Sequence, residues 1–340
     1  AVSRLAEVIK KHGAMAAIEV IHGGREAPSS LIGCQPVAPS PIPGRSGEIP
    51  KELTIDEVKE IIECFARGIL RIKKAGFDGA VIHAAHAYLL AQFISAAHNK
   101  RQDEYVGDVG GRVRIVFDII RAAKELAGSD FPIWPRINAQ EYGIEDGITL
   151  EEAQEMARLL QEAGADAIDV SCRGWGKYNF INIPEASGLL LPLAEGVKKV
   201  VQVPVFTVGF LNPEIGARAI EQGKADIINI GRGLIADPEI PLKVAEGKLE
   251  DIAPCISCYR CLESLIFKGE SVKCAVNPAA GRERECRVSL TEKKRRIVVV
   301  GGGPAGMEAA RVATGRGHEV TPLEKKPYLG GRTVIAAIPP

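Results

Sequence analysis

Cys255, Cys258 and Cys261 follow one another at C-x2-C-x2-C spacing, and Cys274 comes after twelve intervening residues. Thiolates bind soft metals, and three within seven residues can wrap one face of a compact cluster while a fourth closes it. Structural zinc sites use two separated C-x-x-C pairs or mix cysteine with histidine, and a redox disulfide needs only two thiols. The triplet with one distant partner is closer to the ligand run of a [4Fe–4S] centre. Four of the eight cysteines fall within these twenty residues, which argues against chance. Such a cluster moves single electrons, so the neighbouring segments are expected to carry a redox partner. Cys34, Cys64, Cys172 and Cys286 have no metal-like partner in sequence and read as simple thiols.

A second concentration of chemistry is His83-Ala-Ala-His86-Ala-Tyr88. Two imidazoles and a phenol within six residues could bind a developing oxyanion and deliver a proton. Arg136 interrupts an apolar run, and a guanidinium there needs a partner. That partner is either a cofactor carbonyl or a carboxylate on a neighbouring strand such as Asp169. Val208-Gly209-Phe210 and Ile230-Gly231-Arg232 close two later apolar runs. Small residues there let backbone N–H groups approach a phosphate, and Arg232 would clamp it. Near the end, Ile297 to Gly306 gives a strand, a G-x-G-x-x-G turn (Gly301, Gly303, Gly306) and a helix, with Glu324 eighteen residues beyond. That is a dinucleotide-binding unit, the helix N-terminus facing a pyrophosphate and Glu324 the ribose hydroxyls.

The elements that must position these groups alternate. Residues 2–12 have helical spacing, and Ala16 to Ile21 is a buried strand. Residues 54–75 form a helix opened by a Thr54/Glu57 capping box. Apolar runs at 79–83, 132–137, 167–171, 203–208 and 227–230 read as strands, separated by helices at 112–127, 149–163, 190–201 and 213–222, with a further helix at 239–246. Continuous apolar strands alternating with helices imply a parallel sheet covered on both faces. Six β/α units predict a TIM (β/α)8 barrel whose first strands lie outside this chain. The expected division is 1–250 barrel, N-terminally incomplete; 251–292 iron–sulfur segment and linker; and 293–340 the start of a Rossmann-like domain.

The 340 residues carry 43 Lys+Arg against 43 Asp+Glu, a net charge of zero that asks for neither nucleic acid nor an anionic membrane. No apolar run approaches a bilayer-spanning length, and clustered thiols suit a reducing, cytoplasmic compartment. A homo-oligomer is left open.

On these residues the chain resembles the old yellow enzyme superfamily, in its multidomain branch with 2,4-dienoyl-CoA reductase, enoate reductases and trimethylamine dehydrogenase. The markers are His22-Gly-Gly-Arg25, Pro36-Val-Ala-Pro-Ser40, Gly76-Phe-Asp-Gly79, His83 to Leu89, Asn99-Lys-Arg101-Gln-Asp103, Ala225-Asp226, Ala236-Asp237-Pro238 and the cysteines. The resemblance implies FMN in the barrel, a [4Fe–4S] cluster, FAD or ADP in the third domain, and NAD(P)H as electron source. It implies Glu19 and Arg136 against the flavin, Gly209, Phe210, Gly231 and Arg232 at its phosphate, His83 and His86 on a substrate carbonyl, and Tyr88 as proton donor. Glu19 stands where many members have glutamine, Phe210 replaces a frequent second glycine, and Trp175-Gly176 lies where some dienoyl-CoA reductases carry a histidine. The implied activity is reduction of an α,β-unsaturated carbonyl compound, enoate or enoyl-CoA. The alternatives are an amine dehydrogenase, to which the cysteine spacing is closer, or an electron-transfer subunit.

Overall fold

The computed structural model describes residues 2–174 and 187–336; Trp175 and Gly176 fall outside them. Contacts divide the chain into two compact units, residues 1–234 with 238–252, and residues 235–237 with 253–340.

The first unit is built on six strands: β1 (Ala17–Val20), β2 (Gly79–Ala84), β3 (Ile133–Tyr142), β4 (Ile168–Gly174), β5 (Val205–Thr207) and β6 (Ile227–Ile228). They lie side by side in sequence order, every neighbouring pair parallel. A doubly wound sheet would reverse its order at a switch point; unbroken sequential order is the winding of a TIM-barrel-like fold. All six expected strands are present. The connecting helices are α1 (Val2–Lys10), before the first strand, then α2 (Ile55–Lys74), α3 (Leu89–Ile94), α4 (Val109–Ala127), α5 (Leu150–Glu162), α6 (Leu191–Lys198) and α7 (Pro213–Glu221).

Local chemistry explains the helix starts. Thr54 and Glu57 form the expected capping box, and Thr149 with Glu152 forms a second, each satisfying two backbone donors that a helix N-terminus leaves open. Asp108 and Asn212 cap α4 and α7 through single side-chain acceptors. β2 is buried along its whole length, and Ile69, Ile115, Ile119 and Ile120 of α2 and α4 are fully buried. That layer is ordinary apolar core.

β3 departs from expectation. Its apolar run ends at Ile137, yet the strand continues to Tyr142, with a register shift between Asn138 and Glu141. Polar residues carry the extension. The fully buried Glu141 carboxylate accepts from Ser95 Oγ at 2.6 Å and from Ile148 N at 3.3 Å. Satisfied in this way, a buried polar group costs little, and periodicity alone does not show it.

The two faces of the sheet differ in kind. Ile133, Pro135, Ile137 and Ala139 are buried, whereas Trp134 and Arg136 on the other face are only half-buried. On that face Trp134 stacks on Phe206 with centroids 5.5 Å apart, and above this aromatic layer the strands turn polar.

In the second unit, β7 (Arg296–Val300) and β8 (Glu319–Leu323) pair in parallel around α8 (Pro304–Gly315). A Cβ on Gly306 would lie 1.8 Å from the Gly301 carbonyl oxygen, so the turn requires glycine there. Among the described residues no helix is long and apolar enough to cross a membrane.

Ile133 is fully buried, so Ile133→Ala is expected to destabilise the first unit by about 2–5 kcal/mol. The shift of its urea midpoint measures this, and a change below about 1 kcal/mol would show that β3 does not carry core packing.

Candidate functional site

At the C-terminal half of the sheet, His83, Arg136 and Asp169 are direct register partners across β2, β3 and β4. Arg136 bridges two carboxylates: NH1 lies 3.1 Å from both oxygens of Glu19, and Nε and NH2 lie 2.8 and 2.6 Å from Asp169 Oδ2. Asn229 donates to the other Asp169 oxygen at 3.0 Å. Of the two partners the sequence offered for Arg136, the carboxylate on the next strand is therefore taken, and Glu19 is added to it. Burial pushes the Asp169 pKa up, and the Arg136 charge opposes that. Burial would likewise raise Glu19, but the hydrogen bond from His83 and the Arg136 charge together hold it below its ordinary value.

From Glu19 a single file of hydrogen bonds leads along the site. Glu19 Oε1 lies 2.5 Å from His83 Nδ1, His83 Nε2 lies 3.3 Å from His86 Nδ1, and His86 Nε2 lies 2.6 Å from Ser171 Oγ. An ionised carboxylate can only accept, so His83 Nδ1 carries a proton. With one proton on His83, His86 donates to it and accepts from the Ser171 hydroxyl. With a second proton on His83 the file reverses: His86 Nε2 becomes the donor to Ser171, and the hydroxyl hydrogen of Ser171 is released toward the site. Burial first, then His83 and Arg136, push the His86 pKa down to about 3, so His86 passes protons as a neutral imidazole.

The turn after β2 holds these groups by strain. His86 and Ala87 have φ of 57° and 67°, the left-handed region that non-glycine residues seldom occupy. The His86 N–H is fixed by Asn138 Oδ1 at 3.2 Å, and Gln92 donates to the Ala87 carbonyl at 2.6 Å. Tyr88 then caps α3, with its ring 5.2 Å from that of His83. Glu19, His83, His86, Tyr88 and Arg136 are thus brought together. Ser171, Asn138 and Asn229 were not foreseen; Ser171 and Asn138 stand at or just beyond the end of an apolar run and Asn229 interrupts one, which is the signal that could have found them.

The two later turns also meet. The Arg232 guanidinium lies 4.0 Å from the centre of the Phe210 ring. Gly209 has φ of 118°, Phe210 has φ of 52°, and a Cβ on Gly231 would enter open space. Phe210 therefore holds a conformation glycine adopts freely, which accounts for a second glycine being frequent there. Open backbone beside a guanidinium suits a phosphate.

In the second unit all eight expectations can be located. Gly301 and Gly303 form the turn into α8, Gly306 lies in its first turn, and Glu324 directly follows β8. Its carboxylate accepts from Gly302 N at 2.5 Å and from Lys326 N at 2.9 Å, and these backbone donors lower its pKa. Cys255, Cys258, Cys261 and Cys274 are free thiols of intermediate or full exposure. Among the described residues no group of three or more His, Cys, Asp or Glu is gathered closely enough to hold a metal ion. Ser257 and Tyr259, flanking Cys258, have φ of 54° and 59°, a conformation that turns successive amides toward an anion. Val276 N donates to Cys274 Sγ at 3.4 Å.

Residues 1–251 match the NADH:flavin oxidoreductase / NADH oxidase family, and residues 280–338 the pyridine nucleotide-disulphide oxidoreductases. NADH oxidase of Thermoanaerobacter brockii is 44% identical over 343 residues, covering 99% of this chain and 52% of that protein. Cinnamate reductase of Clostridium sporogenes is 39% identical over 357 residues, covering 99% of this chain and 54% of that protein. The solved structure of histamine dehydrogenase from Rhizobium sp. 4-9 is similar with a TM-score of 0.90 at 30% identity, covering 98% of this chain and 50% of that one. The chain spans about half the length of the curated relatives it matches.

His86 and His98 both have their pKa pushed from 6.5 down to about 3. Between those values the unfolded chain binds protons that the folded chain does not, so stability rises with pH across that window. Replacing both by asparagine is expected to flatten the dependence of the urea midpoint between pH 7 and pH 5. An undiminished slope would place the uptake elsewhere. Ser171→Ala leaves His86 Nε2 without its donor and is expected to cost about 1–3 kcal/mol, measured the same way.

Proposed function

Because the chain belongs to the NADH:flavin oxidoreductase / NADH oxidase family, we propose that it is an FMN-dependent oxidoreductase using NAD(P)H to reduce the C=C bond of an α,β-unsaturated carbonyl compound. The observation that carries this reading is the hydrogen-bonded file from Glu19 through His83 and His86 to Ser171, with Tyr88 beside it.

Reducing an activated alkene leaves negative charge on the substrate oxygen and needs a proton at the α-carbon. The file can answer the first demand: in its reversed polarity His86 donates to Ser171 and the Ser171 hydroxyl is freed to donate to that oxygen, with the Arg136 guanidinium close by. Tyr88 carries a hydroxyl for the second. Glu19 stays ionised and sets which nitrogen of His83 bears the proton.

The residues present fit the groups proposed. Arg136, a quarter of whose side chain is exposed, would face the flavin with Glu19, and Gly209, Phe210, Gly231 and Arg232 would hold its phosphate. Four thiols, with left-handed backbone at Ser257 and Tyr259 on either side of Cys258, suit a [4Fe–4S] cluster, and the Gly301–Gly306 turn suits the pyrophosphate of FAD. When bound, FMN supplies hydride chemistry and the cluster single-electron transfer. The proposed division remains 1–250, 251–292 and 293–340. The cysteine spacing supports a second reading, an amine dehydrogenase.

The test is an anaerobic visible spectrum of the full-length holoenzyme. NADH is expected to bleach flavin bands on an iron–sulfur shoulder, and an unsaturated carbonyl compound to restore them; bleaching by a methylamine but not by NADH would select the dehydrogenase. Tyr88→Phe is expected to slow alkene reduction by about 10²–10⁴-fold with NADH-driven bleaching intact, and equal alkene reduction would remove its proton-donor role. Cys258→Ala is expected to lose the cluster's iron and absorbance.

A further inference from the structure

We propose that Arg173, Arg25 and His98 form a binding site for a carboxylate, which takes the charged end of an unsaturated acid. This rests on the reductase reading above and narrows its substrate class.

Arg173 lies on β4 two residues beyond Ser171, hence on the same face and roughly 7 Å nearer the C-terminal end. Other buried or half-buried arginines of this unit are closely matched by carboxylates. Arg101 donates to Asp103 through Nε at 3.0 Å, Arg112 to Glu152, and Arg136 to Asp169 at 2.6 Å. Arg173 and Arg25 differ. Among the described residues the nearest carboxylate to Arg173 is Glu141, at 3.9 Å, and that group already accepts from Ser95, Asn138 and Ile148. The Arg25 side chain is only 4% exposed, yet Glu26 is 3.6 Å from its Nε and is shared with Arg45 at 3.4 Å. The Arg25 Nε is buried without a hydrogen-bond partner.

His98 lies against Arg173 and is near enough to Arg25 to feel its charge. Arg173 NH1 is 2.9 Å from His98 Nε2. A guanidinium can only donate, so Nε2 accepts and the His98 proton is on Nδ1. That Nδ1 is also buried without a partner. Burial first, then Arg25 and Arg173, keep His98 uncharged down to about pH 3, so it offers a donor without adding charge. One buried and one partly buried guanidinium with distant counter-ions, plus two orphaned N–H donors, are costly unless an anion completes them. A planar carboxylate matches the guanidinium fork. One step along the strand, Ser171 and His86 would then meet the conjugated part of the same molecule.

The test uses non-reducible probes on the full-length holoenzyme: benzoate, and its neutral isostere benzamide, titrated against the flavin spectrum. Benzoate is expected to bind at least tenfold more tightly than benzamide. Arg173→Met is expected to weaken benzoate tenfold or more while leaving benzamide and NADH-driven flavin reduction unchanged. Arg173→Lys, which keeps the charge and loses the fork, is expected to weaken benzoate severalfold and serves if the methionine variant does not fold. Equal affinity for the two probes in the parent protein, or equal loss of both in either variant, would overturn the site. The reductase reading is scored separately, by turnover of a neutral unsaturated ketone. Its failure with benzoate selectivity intact would leave the anion site standing without that substrate.

Discussion

The Arg136 guanidinium, held between Glu19 and Asp169, is the constraint on which the first unit's chemistry depends. Three strands contribute one charge each, a fourth adds His83, and Asn229 just beyond a fifth completes the set. Ion pairs that are largely removed from water rarely add stability over an apolar replacement. Losing one partner is another matter, since it strands the rest. Arg136 is thus better understood as fixing register and geometry: it sets the Glu19 carboxylate where His83 must donate to it, and so determines the tautomers of both histidines.

This ladder also explains how one sheet can be a core on one face and a reactive surface on the other. Residues alternate along β3, with Ile133, Pro135 and Ile137 buried and Trp134 and Arg136 on the opposite side. The apolar face supplies burial energy, while the inner face is filled first by the Trp134–Phe206 stack and then by hydrogen-bonded polar groups. Within the site, strain enters beyond the strand ends. The left-handed residues His86, Ala87 and Phe210 all follow strands, at the end where barrel sites form. The packed layers beneath can carry that cost.

Much of this was legible from residue order. Six apolar runs separated by helical patterns marked the parallel sheet, because strands buried on both faces lose the alternation of exposed ones. The capping box at Thr54 and the glycine turn at Gly301–Gly306 were readable because each is a local device with a local cause. The continuation of β3 to Tyr142 was not. Asn138 and Glu141 look like the end of a strand, and only Ser95 and the chain at Ile148, distant in sequence, make their burial tolerable. The partner of Arg136 stayed open for the same reason.

Residue types and their spacing determined which groups were available: four thiols at metal-ligand spacing, two histidines and a tyrosine at a strand end, and a dinucleotide turn. These follow from short-range geometry and intrinsic acid–base chemistry, which a chain carries wherever it folds. The tertiary structure decided which of them act on one another. Glu19 and His83 are 64 residues apart and hydrogen-bond, as do His86 and Ser171, 85 apart. Arg173 and His98, unremarkable in the sequence, meet with too little negative charge around them. Pairing of this kind is set by strand order and register. Register is a property of the assembled sheet, where a shift of one residue would turn every one of these side chains to the other face.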